Sequence, residues 1–127
     1  MSLEQIYLWL KSLNLPVEST WCGQLSKKPL KALGVYNSKR ELPRQKAVGG
    51  AQTTHRKGIT LLVHYSKSAR EAEECARSIY NTLAQQNRPN IDGHIINYIE
   101  LPYEEPISVG TDDDGIQEYV IDFNIYY

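Results

Sequence analysis

Lys57–Gln86 reads KGITLLVHYSKSAREAEECARSIYNTLAQQ, and it decides the fold because a strand pattern in it runs directly into a helix pattern. The first part alternates apolar side chains at a period of two, which predicts a buried strand over Gly58–Tyr65, and Leu62 adds apolar surface on the opposite face. Ser68 is a good N-cap, and Glu71 follows at the spacing of a capping box. The helix that begins there carries an apolar stripe of Ala72, Cys75, Ala76, Ile79, Tyr80 and Leu83.

Further helix and strand patterns lie on both sides of this stretch. Ser2 and Gln5 form a second capping-box pattern ahead of a helix over about Leu3–Leu13, with Asn14 as its stop. The predicted strands besides the first are Val17–Gln24, Leu30–Asn37, Gly93–Leu101, Ile107–Val109 and a last strand with Tyr119, Ile121, Phe123, Ile125 and Tyr127 on one face. Before that last strand, the Asp-Gly pair of the turn at 110–115 favours a hairpin.

The fold predicted from these patterns is one α+β domain over residues 1–127. It has a mixed, mostly antiparallel sheet of about five strands with two helices packed on it. A chain of 127 residues is long enough to bury a core without disulfides. Within Gly93–Leu101, period-two alternation places Ile95, Ile99 and Leu101 on one face and Ile96 and Tyr98 on the other. No apolar run approaches the length needed to cross a bilayer, so we expect no membrane association.

Charge is distributed unevenly along the chain, although the net charge is only −1. Nine of the 14 Lys and Arg residues lie between Lys27 and Lys57, whereas twelve of the 15 acids follow residue 70. Residues 38–56 combine many cations with Pro43 and Gly49-Gly50 and show no sustained period, which predicts an exposed basic arm. This arm is either a solvated connection between two strands or a segment that becomes ordered against a neighbouring subunit. Opposite charge on one molecule favours head-to-tail contact between copies, which repeats into rings.

The interface residues predicted from this charge map are Lys39, Arg40, Arg44 and Lys46 on the arm, with Asp112, Asp113 and Asp114 as acidic counterparts. If the arm instead lines the lumen of a ring, the same cations face DNA that passes through it. A free-standing nucleic-acid-binding module is a weaker alternative, because the arm lacks the interleaved aromatic residues that stack on bases.

No residue pattern supports catalysis. The sequence contains no nucleophile elbow, phosphate-binding loop or dinucleotide fingerprint. His55, His64 and His94 are scattered without metal-ligand spacing, and the consecutive acids Asp112–Asp114 lack the alternating spacing of a calcium loop. Cys75 lies in the helix stripe and is interpreted as a core residue. We therefore predict no enzyme activity, no cofactor and no metal site.

Four segments carry a family resemblance: LGVYNSKR at Leu33–Arg40, VGG at Val48–Gly50, GITLLVHYSKSARE at Gly58–Glu71 and EPISVGTDDDGIQEYVIDFNIYY at Glu105–Tyr127. In this order they resemble a family of minor capsid proteins of bacteriophages and prophages of Gram-positive bacteria, which is similar in turn to phage tail-terminator and tail-completion proteins. The likeness spans most of the chain from about residue 30 onward. It contains no catalytic motif.

The resemblance implies a virion structural protein, made in the host cytoplasm, at the head-tail junction or the end of the tail. It implies a homo-oligomeric ring, typically six-fold in tail terminators, with the tail tube and head-completion proteins as partners. A head-completion connector is the alternative position in the particle.

Overall fold

The structure, a computed structural model, describes residues 1–23, 30–38 and 55–127. In chain order, its elements are α1 (Leu3–Ser12), β1 (Ser19–Cys22), β2 (Ala32–Asn37), β3 (Arg56–His64), α2 (Ala69–Ala84), β4 (Asn90–Ile91), β5 (His94–Ile95), β6 (Tyr98–Glu100), β7 (Ile107–Thr111) and β8 (Gln117–Tyr126). No helix within the described ranges combines the length and apolar character that a membrane crossing requires.

Six strands form the main sheet in the order β1-β2-β3-β8-β6, with β7 also paired to β8. The pairing of β1 with β2 is parallel, whereas the other pairs in this sheet are antiparallel. One edge of β8 pairs with β3 along its length, and the opposite edge is shared by β7 near its start and β6 near its end. The predicted mixed, mostly antiparallel α+β fold is confirmed.

Both helices contribute to one core on the same face of the sheet. Ile59, Leu61 and Val63 of β3 are fully buried there, as the period-two pattern predicts. The other members of this core include Ile6 and Leu10 of α1, Leu33 and Val35 of β2, Ile79 and Leu83 of α2, and Ile121, Phe123 and Ile125 of β8. Alternate residues of β2, β3 and β8 therefore point to the opposite face.

The helix boundaries follow from the capping residues. In α1, Ser2 Oγ accepts from the backbone N–H of Gln5, and the Gln5 side chain accepts from the N–H of Ser2 at 2.7 Å, which is the predicted capping box. Asn14 follows the helix with a φ of 53°, as expected of a stop residue. The N-cap of α2 is Ser68, as predicted, and its side chain accepts from the N–H of Glu71.

The capping box predicted for α2 is only half formed. The N–H of Ser68 donates to Ser66 Oγ at 3.3 Å instead of to the carboxylate of Glu71. That carboxylate accepts from the same Ser66 hydroxyl, also at 3.3 Å. Ser66 therefore stands between the two residues that a capping box would join directly.

The prediction of one strand over Gly93–Leu101 is wrong. Asp92 and Gly93 both have positive φ, 48° and 85°, and they form the turn of a small hairpin between β4 and β5. The chain then leaves this hairpin before β6 begins. Ile96 is consequently fully buried, whereas Tyr98, which was predicted to share its face, is 54% exposed.

Of the predicted basic arm, the structure describes Ser38, His55 and Arg56. The four cations predicted for the interface, Lys39, Arg40, Arg44 and Lys46, lie outside the described residues.

Candidate functional site

The face of the sheet opposite the two helices, here called the open face, is the candidate site. No helix of the described residues packs on it, because the residues of both helices that are buried belong to the core on the other side. The positions that alternate with the core residues, among them Tyr36, Thr60, Leu62, Val120 and Asp122, lie on this face and pair across neighbouring strands. Its surface chemistry is therefore set by the even-numbered residues of β2, β3 and β8.

The centre of the open face is an apolar groove with a volume of about 420 Å³. Its apolar walls include Tyr36, Leu62, Ile107, Val109 and Val120. Val109 is 53% exposed, beside the irregularity in the pairing of β7 with β8 between Ser108 and Gly110. Exposed apolar surface of this kind, rimmed by polar side chains, is typical of surfaces that bind another protein.

The ring of Tyr36, which lines the groove, lies over Gly34, and this close approach requires a residue without a side chain. A Cβ built at Gly34 would stand 2.7 Å from Tyr36 Cε2, closer than real contacts of this kind. The floor of the groove also has one polar bridge between strands, in which Thr60 Oγ1 donates to Asp122 Oδ1 at 2.6 Å. This hydrogen bond holds the Asp122 carboxylate in a defined direction on the open face.

A second carboxylate, Glu100 of β6, lies beyond Asp122. Glu100 Oε1 accepts from Asn124 Nδ2 at 2.7 Å and from the Tyr126 hydroxyl at 3.4 Å. Tyr126 stacks in turn on Tyr98, with ring centroids 4.4 Å apart. Glu100 and Asp122 both line a cleft of about 260 Å³, and Asp122 also lines the groove. We call these two carboxylates the acidic rim.

Among the described residues, neither carboxylate of the acidic rim has a cationic partner. The hydrogen bonds of Glu100 come from an amide and a phenol, and that of Asp122 comes from a hydroxyl. The ion pairs of the described chain lie elsewhere, for example those that join Arg77 of α2 to Glu73 and Glu105. The open face therefore presents negative charge beside an apolar centre.

The three consecutive aspartates predicted as acidic counterparts occupy two different environments. Asp112 Oδ2 lies 2.7 Å from His64 Nε2, and the two side chains are 5% and 2% exposed. An ionised carboxylate only accepts hydrogen bonds, so the imidazole donates. Asp112 Oδ1 also accepts from the N–H groups of Asp114 and Ile116, at 2.9 and 3.0 Å. Asp112 thus closes the β7-β8 turn, whereas Asp113 and Asp114 are exposed.

These hydrogen bonds change the acidity of Asp112. The hydrogen bond from His64, followed by that from the N–H of Ile116, lowers the pKa of the Asp112 carboxyl from its ordinary 3.8 to about 2. Asp112 is therefore ionised at neutral pH, but both of its carboxylate oxygens already accept hydrogen bonds within the subunit.

The described residues were also compared with the chemistry of metal sites and of reactive thiols. No group of three or more His, Cys, Asp or Glu side chains within these ranges converges on a point where an ion could sit. Cys75 is buried in the core face of α2, where its thiol donates to the carbonyl oxygen of Pro16 at 3.5 Å. Burial raises the pKa of this thiol to about 11, so it is not a nucleophile at neutral pH.

The groove residues were not among the interface residues predicted from the sequence, because that prediction was built on charge alone. One signal was present: Leu62 and Val120 are apolar at positions that alternate with core residues, where a sheet with one solvated face carries polar side chains. Ile107 and Val109 gave no such signal, because their position beside Val120 depends on the pairing of β7 with β8.

Comparison with known proteins gives one family match. The family model described as "Bacteriophage tail terminator protein" matches residues 9–127, which is nearly the whole chain. No curated protein matches the chain.

Proposed function

Since this chain belongs to the bacteriophage tail terminator protein family, whose members are structural components of the phage tail, we propose that it is the ring subunit that completes the tail. The observation that carries this proposal is the family match over residues 9–127. In this role the protein is a minor capsid component of the virion that caps the tail tube at the head-tail junction. Its proposed partners are further copies of itself, the tail tube and head-completion proteins.

The geometry of the described residues supports an architectural role. The central strands β3 and β8 pair over nine residue positions, which makes the sheet a stiff platform. Its open face exposes an apolar groove beside two carboxylates that lack cationic partners within the described chain. A surface of this kind is suited to contact with protein.

Of the three aspartates proposed as acidic counterparts of the basic arm, we keep two. Asp113 and Asp114 are exposed at the β7-β8 turn and are available to cations of a neighbour. Asp112 is engaged by His64 and by two backbone N–H groups, so we assign it to the fold of the turn. Lys39, Arg40, Arg44 and Lys46 remain proposed partners of a neighbouring subunit or of DNA in the lumen.

The open face does not favour nucleic-acid binding. Glu100 and Asp122 project negative charge from it, and phosphates would be repelled. A free-standing nucleic-acid binder is expected to retain duplex DNA as a monomer, with affinity that falls steeply as salt increases. We expect little DNA binding by the monomeric protein in a filter-binding assay at low salt.

Electron microscopy of particles that lack this protein tests the proposal. A tail terminator stops growth of the tail tube, so particles without it should carry overlong tails, and a plasmid copy of the gene should restore the normal length. Filled heads without attached tails would instead identify a head-completion connector. Normal tails in the absence of the protein would show that neither role is correct.

A further inference from the structure

We infer that the apolar groove and acidic rim of the open face bind the basic segment 39–54 of a second copy of this chain. The inference rests on the proposed function, because it specifies how one ring subunit would hold the next. The site itself consists only of described residues. The occupant is identified by its sequence and by its attachment points.

The groove requires an occupant with apolar side chains. Leu62 and Val120 lie side by side on β3 and β8, and Ile107 of β7 pairs with Val120 on the other side. Together with Val109 they form a continuous apolar strip that no described helix or strand covers. Removing such a strip from water favours binding, because apolar surface is transferred out of solvent.

The acidic rim requires an occupant that is also cationic. Thr60 orients Asp122, and Asn124 orients Glu100, each through a short hydrogen bond to the carboxylate. Both carboxylates are therefore held in a fixed orientation, and no cation of the described chain pairs with them. An ion pair formed here gains from this preorganisation, since little side-chain freedom remains to be lost on binding.

Segment 39–54, KRELPRQKAVGGAQTT, has this combination of properties. Its four cations outnumber its single acid, Glu41, so its net charge is opposite to that of the rim. Its apolar residues stand next to the cations, as Leu42-Pro43 before Arg44 and Ala47-Val48 after Lys46. The occupant thus offers apolar contacts to the groove and cationic contacts to the rim.

The attachment points allow contact with another copy. The segment leaves β2 after Ser38 and returns before β3, and Ser38 lines the same cleft as the acidic rim. At ~3.3 Å per residue, half of this 16-residue segment extends about 26 Å, beyond the radius of gyration of ~14 Å expected for a domain of this size. The segment is long enough to pass from one subunit to the next.

The contact joins two different surfaces, so it is heterologous and can repeat around a ring. Contact of the segment with its own subunit would satisfy the same chemistry without joining copies. Contact with a second copy and contact within one subunit give different cross-linked products, so a cross-linking experiment separates them.

Disulfide cross-linking in assembled particles tests the proposal. A Cys22→Ser background removes the exposed native thiol and leaves the buried Cys75. Val48→Cys and Val109→Cys are then introduced together, and particles are oxidised and analysed without reductant. Contact between copies should convert most of the monomer into a ladder of linked oligomers, because every subunit contributes one cysteine to each of two neighbours.

Matched variants make the outcomes distinct. Each single cysteine variant can form only dimers, and Ser78→Cys on the exposed side of α2, combined with Val48→Cys, should give no ladder. A monomer with an internal disulfide, or no cross-link in particles of normal tail length, would overturn the inference while the proposed function stands. Normal tails in phage that lack the protein would overturn the proposed function itself.

Charge reversal gives a second measurement. Arg44→Glu should weaken assembly and lengthen tails, and Glu100→Lys should do the same from the other side of the contact. If the two side chains meet across the interface, the two substitutions together should restore tail length toward normal. Normal tail length in both single variants would show that the segment and the acidic rim do not meet, and it would overturn the inference.

Discussion

Leu61 and Leu62 are adjacent residues of the same type on opposite faces of β3, and their replacement by alanine measures how far the open face is covered in the monomer. Leu61 is fully buried between Val35 and Ile121, which are themselves buried. Leu62 lies between Gly34 and Val120 and lines the groove. The two substitutions remove the same atoms from the same strand.

The expected losses differ because only one side chain lies in the core. Leu61→Ala should lower the free energy of unfolding by about 3–5 kcal/mol, the sum of lost transfer energy and the cavity that remains. Leu62→Ala should lower it by about 1 kcal/mol, because part of that side chain already contacts solvent and no closed cavity forms. Leu61 belongs to the core that residues of both helices and of β8 share, and this rigid surrounding limits the collapse of a cavity there.

Urea unfolding of the monomeric protein, followed by tryptophan fluorescence, provides the measurement. With an m value of ~1.5 kcal/mol/M, a loss of about 3 kcal/mol moves the midpoint by about 2 M, whereas a loss of about 1 kcal/mol moves it by less than 1 M. Equal shifts for the two variants would refute the reasoning. They would show that Leu62 is as enclosed as Leu61 and that the groove is not an open surface in the monomer.

Three further predictions concern single residues. The folded-state pKa of Asp112 is lowered from 3.8 to about 2, so its charged form stabilises the fold above about pH 4. This contribution is lost as the pH falls through about 2. The urea midpoints of the wild type and Asp112→Asn should therefore differ at pH 7 and converge near pH 2. Gly34→Ala should lower the free energy of unfolding by about 1–3 kcal/mol, because the added Cβ would stand 2.7 Å from the Tyr36 ring. Most of that loss should disappear in a Tyr36→Ala background, and unfolding curves of the single and double variants measure this. A colorimetric thiol assay should detect only Cys22 in the native protein and both thiols in denaturant, since Cys75 is buried with its pKa raised to about 11; prompt reaction of two native thiols would contradict this burial.

Two features of the candidate site lay beyond inference from the sequence. The charge pattern indicated that Asp112–Asp114 act as a set, but the pairing of β7 with β8 brings His64 to Asp112, 48 residues away in sequence. The groove likewise depends on which strands become neighbours, since Ile107 and Val109 come from a different segment than Leu62. Neither the spacing of residues nor their chemistry within a short window contains this information.

The sequence by itself determined the local elements: the N-cap at Ser68, the buried stripe of α2, and the alternation of β8 that places Ile121, Phe123 and Ile125 in the core. These follow from periods of 3.6 and 2, which operate between near neighbours. The tertiary structure alone decided that β1 pairs in parallel with β2 and that β8 lies between β3 and the short strands β6 and β7. It also decided that both described helices pack on the same face of the sheet. The physical reason is that strand partners are selected by contacts between distant segments, where the burial of whole faces outweighs local preference.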